Sequence, residues 1–211
     1  MAGHLGLVAL GLLGITLGLL GCDSGGIGGS GQCGGASDAN SCVQINAIQP
    51  VYLGQTTSNV DALQRNCATA TSTTPTPEPF TDHNAMVTIS NEPLPGVGPG
   101  ATASTTVTLQ DFSIRYTLNA CPAGATCPGL DTLTGAPGPT RVIPPGGSVT
   151  ITLPFVSLAT KSEYVSKGGS LLVPPSYSAT YTITGTDLFH NSVSVRGSAQ
   201  FTIGDFDNCS R

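Results

Sequence analysis

From Val43 onward, apolar residues recur at every second position and Thr or Ser fills the gaps. A β-strand with one buried face has this period, and a helix does not. Val43, Ile45 and Ala47 alternate with Gln44 and Asn46, and Val87 and Ile89 with Thr88 and Ser90. Phe112, Ile114, Tyr116 and Leu118 follow the same rule, as do Val149, Ile151 and Leu153. Tyr177, Ala179, Tyr181 and Ile183, then Val193 and Val195, then Ala199, Phe201 and Ile203 complete the set. Thr suits the half-exposed face of a pleated sheet. Helical spacing is confined to Val60–Asn66. Strong turn formers separate the runs: Pro93 to Gly100, Gly135 to Pro139, Pro144-Pro145-Gly146-Gly147 and Pro174-Pro175. About seven strands in one domain imply an all-β antiparallel sandwich.

Composition narrows the function classes. Charged residues are 9% of the 211 and hydrophobic ones 39%, a balance that favours a packed core over a disordered chain. The net charge is −5 with seven Lys and Arg in all. No basic cluster tracks phosphates, which excludes nucleic acid as a partner class. Cysteine is the informative count, at seven.

The N-terminus explains one of them. Every residue from Leu5 to Gly21 is apolar or Gly except Thr16, a run too short to span hydrocarbon as a helix. It closes on Leu19-Leu20-Gly21-Cys22, which resembles the lipobox of bacterial lipoproteins. The resemblance implies cleavage after residue 21, diacylglycerol on the Cys22 thiol and acylation (palmitate or a similar chain) of the new amino group. Several acyl chains hold a protein where one holds it only marginally. The pattern departs in one respect: His4 precedes the apolar run where a signal normally carries Lys or Arg. Either the signal tolerates this or the start codon lies upstream. Asp23 resembles the inner-membrane retention signal of enteric lipoproteins. The segments expected are a signal over 1–21, a lipidated Cys and Gly/Ser-rich tether over 22–36, and the β domain over 37–211.

A second resemblance concerns the β domain. Pro144-Pro145-Gly146-Gly147-Ser148-Val149-Thr150-Ile151 resembles a strand opening of bacterial immunoglobulin-like or fibronectin-type domains. Tyr181-Thr182-Ile183-Thr184-Gly185-Thr186-Asp187 with Asn191 resembles their closing hairpin, with His190 where Gly is usual. There is no Trp, so the antibody-type Cys–Trp–Cys core is missing. An exported chain oxidises its thiols. With Cys22 lipidated, six cysteines remain for disulfides, and no C-x-x-C pair points to zinc. The sandwich resemblance implies the pairing. Cys121 and Cys127 bracket a short loop, the first strand running beside the last brings Cys67 to Cys209, and Cys33 is left with Cys42.

Catalytic signatures lack their context. Asp23-Ser24-Gly25-Gly26 echoes a serine-protease segment, and Gly26 to Gly31 formally matches a dinucleotide fingerprint. Both lie in the tether, without the His, strand or helix those chemistries need. Asn208-Cys209-Ser210 fits a glycosylation sequon that a bacterial chain does not use. His83 and His190, the imidazoles left after cleavage, each have an Asp and an Asn nearby (Asp82 and Asn84; Asp187 and Asn191). They would bind a divalent ion if loops brought them together. The expectation is a non-enzymatic binding, adhesion or structural module on the cell envelope, without cofactor, whose partners are the bilayer and an envelope protein or glycan. A metal-dependent protein using His83 and His190 and a strand-adding assembly factor are the alternatives.

Overall fold

The computed structural model describes residues 41–67, 75–92, 105–139 and 141–209. These form a mostly β protein with one short helix. The strands are β1 (Cys42–Tyr52), β2 (Gln55–Thr56), β3 (Asn59–Asp61), β4 (Asn66–Cys67), β5 (Thr76–Pro77), β6 (His83–Glu92), β7 (Val107–Ala120), β8 (Leu133–Gly135), β9 (Arg141–Ile143), β10 (Ser148–Val156), β11 (Ser176–Asp187) and β12 (Ser192–Gly204). Helix α1 (Leu158–Ser166) joins β10 to the loop before β11. No helix among the described residues is long and apolar enough to cross a membrane.

One sheet has the order β10-β6-β1-β2, and a larger one runs β3-β12-β11-β7-β8 with β9 also on β7. All neighbours are antiparallel except β3 and β12, which run parallel with Thr202 opposite Asn59 and Gly204 opposite Asp61. The strand content is as expected. Curling of the sheets toward a half-barrel departs from the two facing layers of a plain sandwich. A single core lies between the sheets, with Ile45, Val87, Ile89 and Ile151 on one side and Ile114, Tyr181 and Ile203 on the other.

Three local features differ from the period-two reading. A register shift between Ile45 and Ala47 inserts an extra residue, so Ile48 and Pro50, not Ala47, take the inward positions. A β-bulge inverts the alternation downstream of it. Val60–Asn66 is not helical; it supplies β3 and the start of β4. The helix lies instead at Leu158–Ser166, where Ser157 Oγ accepts from Thr160 N–H at 3.1 Å as an N-cap. Its buried face is Thr160, Lys161 and Tyr164, so no apolar period announced it. Near the end of β7, Leu118 is half-exposed, because the strand outruns the core.

Two poles follow from the strand register. Cys42 pairs with Glu92, Val107 pairs with both Ile143 and Asp187, and the Pro144–Gly147 turn opens β10. These form the pole at which the chain enters β1. Asn91, fully buried, donates from Nδ2 to Thr105 O at 2.7 Å and to Ile143 O at 3.1 Å, tying the two sheets together there. Its backbone accepts from Gly146 N–H, and Gly146 takes a left-handed φ of 70° to present that group. Asn91→Ala removes a buried donor from both carbonyls and should cost about 2–3 kcal/mol. Chemical denaturation of the variant beside wild type measures it.

The opposite pole holds Tyr52, His83, Val156, α1 and Gly204 to Cys209. Cys67 and Cys209 are bonded there, with Cα atoms 5.3 Å apart, and Cys121–Cys127 closes the loop after β7. Both are pairs that the resemblance implied. Cys42 is disulfide-bonded as well; Cys33, its expected partner, lies outside the described residues, as do Cys22, Asp23 and the signal segment.

Candidate functional site: an open sheet edge and two unlike poles

The fold places the two histidines at opposite ends. His83 begins β6 at the far pole, and His190 sits in the β11–β12 turn at the entry pole. Ten residues of β6 rising about 3.3 Å each separate the poles by roughly 30 Å, too far to share an ion. His83 is buried, bonded to Thr57 O at 2.9 Å and stacked on Tyr52 at 5.3 Å. His190 takes a φ of 64° in a tight turn. The neighbouring acids have structural work. Asp82 Oδ1 accepts from Leu158 N–H at 2.6 Å at the start of α1. The Asp187 carboxylate accepts from Phe189 N–H, Asn191 N–H and Asn191 Nδ2.

One trio among the described residues has metal-ligand spacing: Glu78, Asp207 and Cys209. Its atoms are already engaged. Cys209 Sγ is in the disulfide, and the Glu78 oxygens accept from Arg65 N–H at 2.6 Å and Asn208 N–H at 2.8 Å. Asp207 Oδ1 accepts from Cys209 N–H at 2.8 Å.

Sequence reasoning missed the polar interior of the far pole. Lys161 is fully buried, donates from Nζ to Thr81 O at 2.7 Å, and lies 4.5 Å above the Phe80 ring and 4.9 Å above that of Tyr52. Burial pulls its amine down to about 8, against the opposing pull of Asp61, Asp82 and Glu78. Burial also raises the Asp61 carboxyl, which accepts from Leu63 N–H, Phe206 N–H and Asn208 Nδ2. An amine poised near neutrality suits a nucleophile or base, but this one is sealed from solvent. It ties α1 to the segment before β6, while Asp61 and Glu78 hold Phe206 and Asn208 of the C-terminal segment. The exposed Arg65–Asp205 ion pair closes the same pole from outside.

Among the described residues, two open surfaces stand out. On the outer face of β7, β8 and β11, Asp111, Ser113, Thr134, Ala136, Thr182 and Thr184 line a shallow groove of about 490 Å³. Its hydroxyls and single carboxylate offer hydrogen bonds, and the Phe112 ring, against Gly135, lies at its lining.

The second surface is the edge of β12. β3 covers this strand from Thr202 to Gly204; from Ser192 to Phe201 its outer edge has no strand partner among the described residues. Thr202 N–H donates outward to Ser58 O, and Ile203 N–H turns toward Pro175 O beside β11. Alternation then points the N–H and C=O of Ser194, Arg196, Ser198 and Gln200 away from the sheet. The β11–β12 register runs from Ser176–Thr202 to Thr186–Ser192 without a bulge. Pro is absent from this stretch and Arg196 is its one charge. Natural edges are commonly blunted by bulges, prolines and charges, and this one is nearly bare. Gly197 lets β1 tuck beneath it, since a Cβ there would meet Ile45 and Ile48 at 3.0–3.2 Å. No signal in the sequence marks this edge, because alternation tells which face is buried and not which strand lacks a neighbour. No protein-family model matches the chain, and no similar protein was found among curated proteins or solved structures.

Proposed function

We propose that the chain is a lipid-anchored envelope protein whose domain, an immunoglobulin-like sandwich, is a non-enzymatic binding module that takes an extended strand of a partner protein along β12. The immunoglobulin-like reading is supported by the strand order and by the parallel β3–β12 pairing, in which the start of the chain crosses to the sheet of the last strand. The lipid anchor is supported by Leu19-Leu20-Gly21-Cys22, and an oxidising compartment by the disulfides.

The single observation that carries the binding function is the unbulged edge from Ser192 to Phe201, which has no strand partner among the described residues. Strand addition supplies affinity through main-chain hydrogen bonds and specificity through alternate side chains. The outward-facing side chains Ser194, Ser198 and Gln200 accept small polar neighbours, and Arg196 favours a carboxylate opposite it. The partner strand is therefore polar, extended and acidic at one position.

Ser198→Pro tests this, because Pro removes an N–H that no described strand of the domain pairs, and Pro is tolerated on an edge where that group faces outward. A photocrosslinker at Ser194 should trap one partner in intact cells, and Ser198→Pro should reduce the adduct at least tenfold while thermal unfolding stays cooperative. Undiminished capture would overturn the edge reading. Absence of any adduct from Ser194, with the protein folded and at the membrane, would overturn the binding role.

A further inference from the structure

The chain enters β1 at Cys42, on the pole that also carries the β11–β12 turn. Two large apolar side chains project from that turn, Leu188 at 67% exposure and Phe189 at 64%. The fold builds this projection. Asp187, nearly buried, receives Phe189 N–H and Asn191 N–H at 2.8 Å each and Asn191 Nδ2 at 2.9 Å, while His190 N–H returns to Asp187 O at 3.0 Å. Held by these bonds, the turn shows solvent its apolar pair and keeps its one carboxylate inward. The neighbouring Pro144–Gly147 turn carries no charge, and Val142 on β9 is half-exposed.

Cys22 precedes Cys42 by twenty positions. At about 5–6 Å × √n for a Gly-rich coil, that length keeps the entry pole within roughly 25 Å of an acylated Cys22. A tether this short brings the pole repeatedly against the bilayer, where apolar side chains at a loop tip partition into the headgroup–acyl boundary.

We propose that Leu188 and Phe189 insert into the interfacial layer of the membrane that holds Cys22, seating the domain on its entry pole. The proposal rests on the lipid-anchor reading and adds an orientation: β12 stands along the membrane normal, with the far pole outermost.

The chain has no Trp, so Phe189→Trp places a single reporter at the tip. Leu172→Trp is the control, on a far-pole residue at 86% exposure. Both positions are exposed, so the variants retain the wild-type fold. The full lipidated protein is reconstituted into phosphatidylethanolamine–phosphatidylglycerol vesicles, with and without bromine near the top of the acyl chains. Emission of Phe189→Trp should shift to the blue and fall at least twofold with bromine, and Leu172→Trp should be unaffected. Equal, negligible quenching at both positions in vesicles that carry the acylated protein would overturn the insertion and leave the anchor standing. An intact mass without acyl chains on Cys22, together with failure to float with the vesicles, would remove the anchor and the insertion with it.

Discussion

Raised through pH 10, the folded protein should keep all five of its tyrosines as phenols and then release their protons in one step as it unfolds. The chain has five Tyr residues and every one is buried: Tyr52, Tyr116, Tyr164, Tyr177 and Tyr181. Each hydroxyl donates to a main-chain carbonyl, to Pro79, Phe155, Ser170, Pro128 and Pro154 respectively, at 2.5–2.7 Å. Burial raises all five above the ordinary phenol value, Tyr164 and Tyr177 to about 12. A group whose folded value is raised gives stability that is intact below its unfolded value, about 10 for Tyr, and is lost as pH climbs toward the folded value. Between about pH 10 and 12, Tyr164 and Tyr177 then each remove about 1.4 kcal/mol per pH unit, and the other three act in the same direction.

Lys161 acts with the opposite sign at lower pH. Its folded value of about 8 lies below the unfolded one, so between about pH 8 and 10 the unfolded chain holds more protons and stability rises, by about 3 kcal/mol at most. The profile should therefore climb gently from pH 8, peak near 10 and collapse within one to two units. Lys161→Met should flatten the climb and leave the collapse. Tyrosinate absorbance at 295 nm beside far-ultraviolet circular dichroism reads both limbs. A gradual titration centred near 10 with the fold intact would contradict the burial of the phenols.

The second large effect concerns the bond at the far pole. Cys67–Cys209 closes a loop of 142 residues and Cys121–Cys127 one of six. Chain-entropy arguments assign about 5 kcal/mol to the first and about 2 kcal/mol to the second. The longer bond also holds Asn208, whose backbone N–H and Nδ2 reach Glu78 and Asp61. Replacing Cys67 and Cys209 by Ala should therefore destabilise the protein at least twice as much as replacing Cys121 and Cys127, as urea midpoints will show. Equal losses would mean that the unfolded chain is not constrained in proportion to loop length.

The sequence made the strands legible because their residues keep a strict period. Tyr177 to Ile183 on β11 and Val193 to Ile203 on β12 turn every expected side chain inward. The period misled where one extra residue broke it, between Ile45 and Ala47. It was silent where burial is polar: α1 faces inward with Thr160, Lys161 and Tyr164, which carry no apolar repeat. The chemistry-bearing residues were misleading for a related reason. His83, Asp82 and Asp187 attract attention as ligands, yet one is stacked in the core and two accept backbone N–H groups. Short polar side chains serve turns and caps as readily as metals, and pairing across the fold decides between the two. The open edge of β12 belongs to topology and could not be read from residue types.

A pull applied between the entry of β1 and the segment beyond Cys209 would meet an unusual path through this molecule. A pull that enters at Cys42 and leaves beyond Cys209 crosses directly from position 67 to position 209 through sulfur, bypassing the 141 residues between them. Only the stretch from β1 to β4 is free to pay out, about 25 residues or roughly 85 Å of extended chain. Because β1 lies lengthwise against β6 over nine paired positions, that pull shears its hydrogen bonds together instead of unzipping them singly. The domain is thus built to give a little rope and then hold.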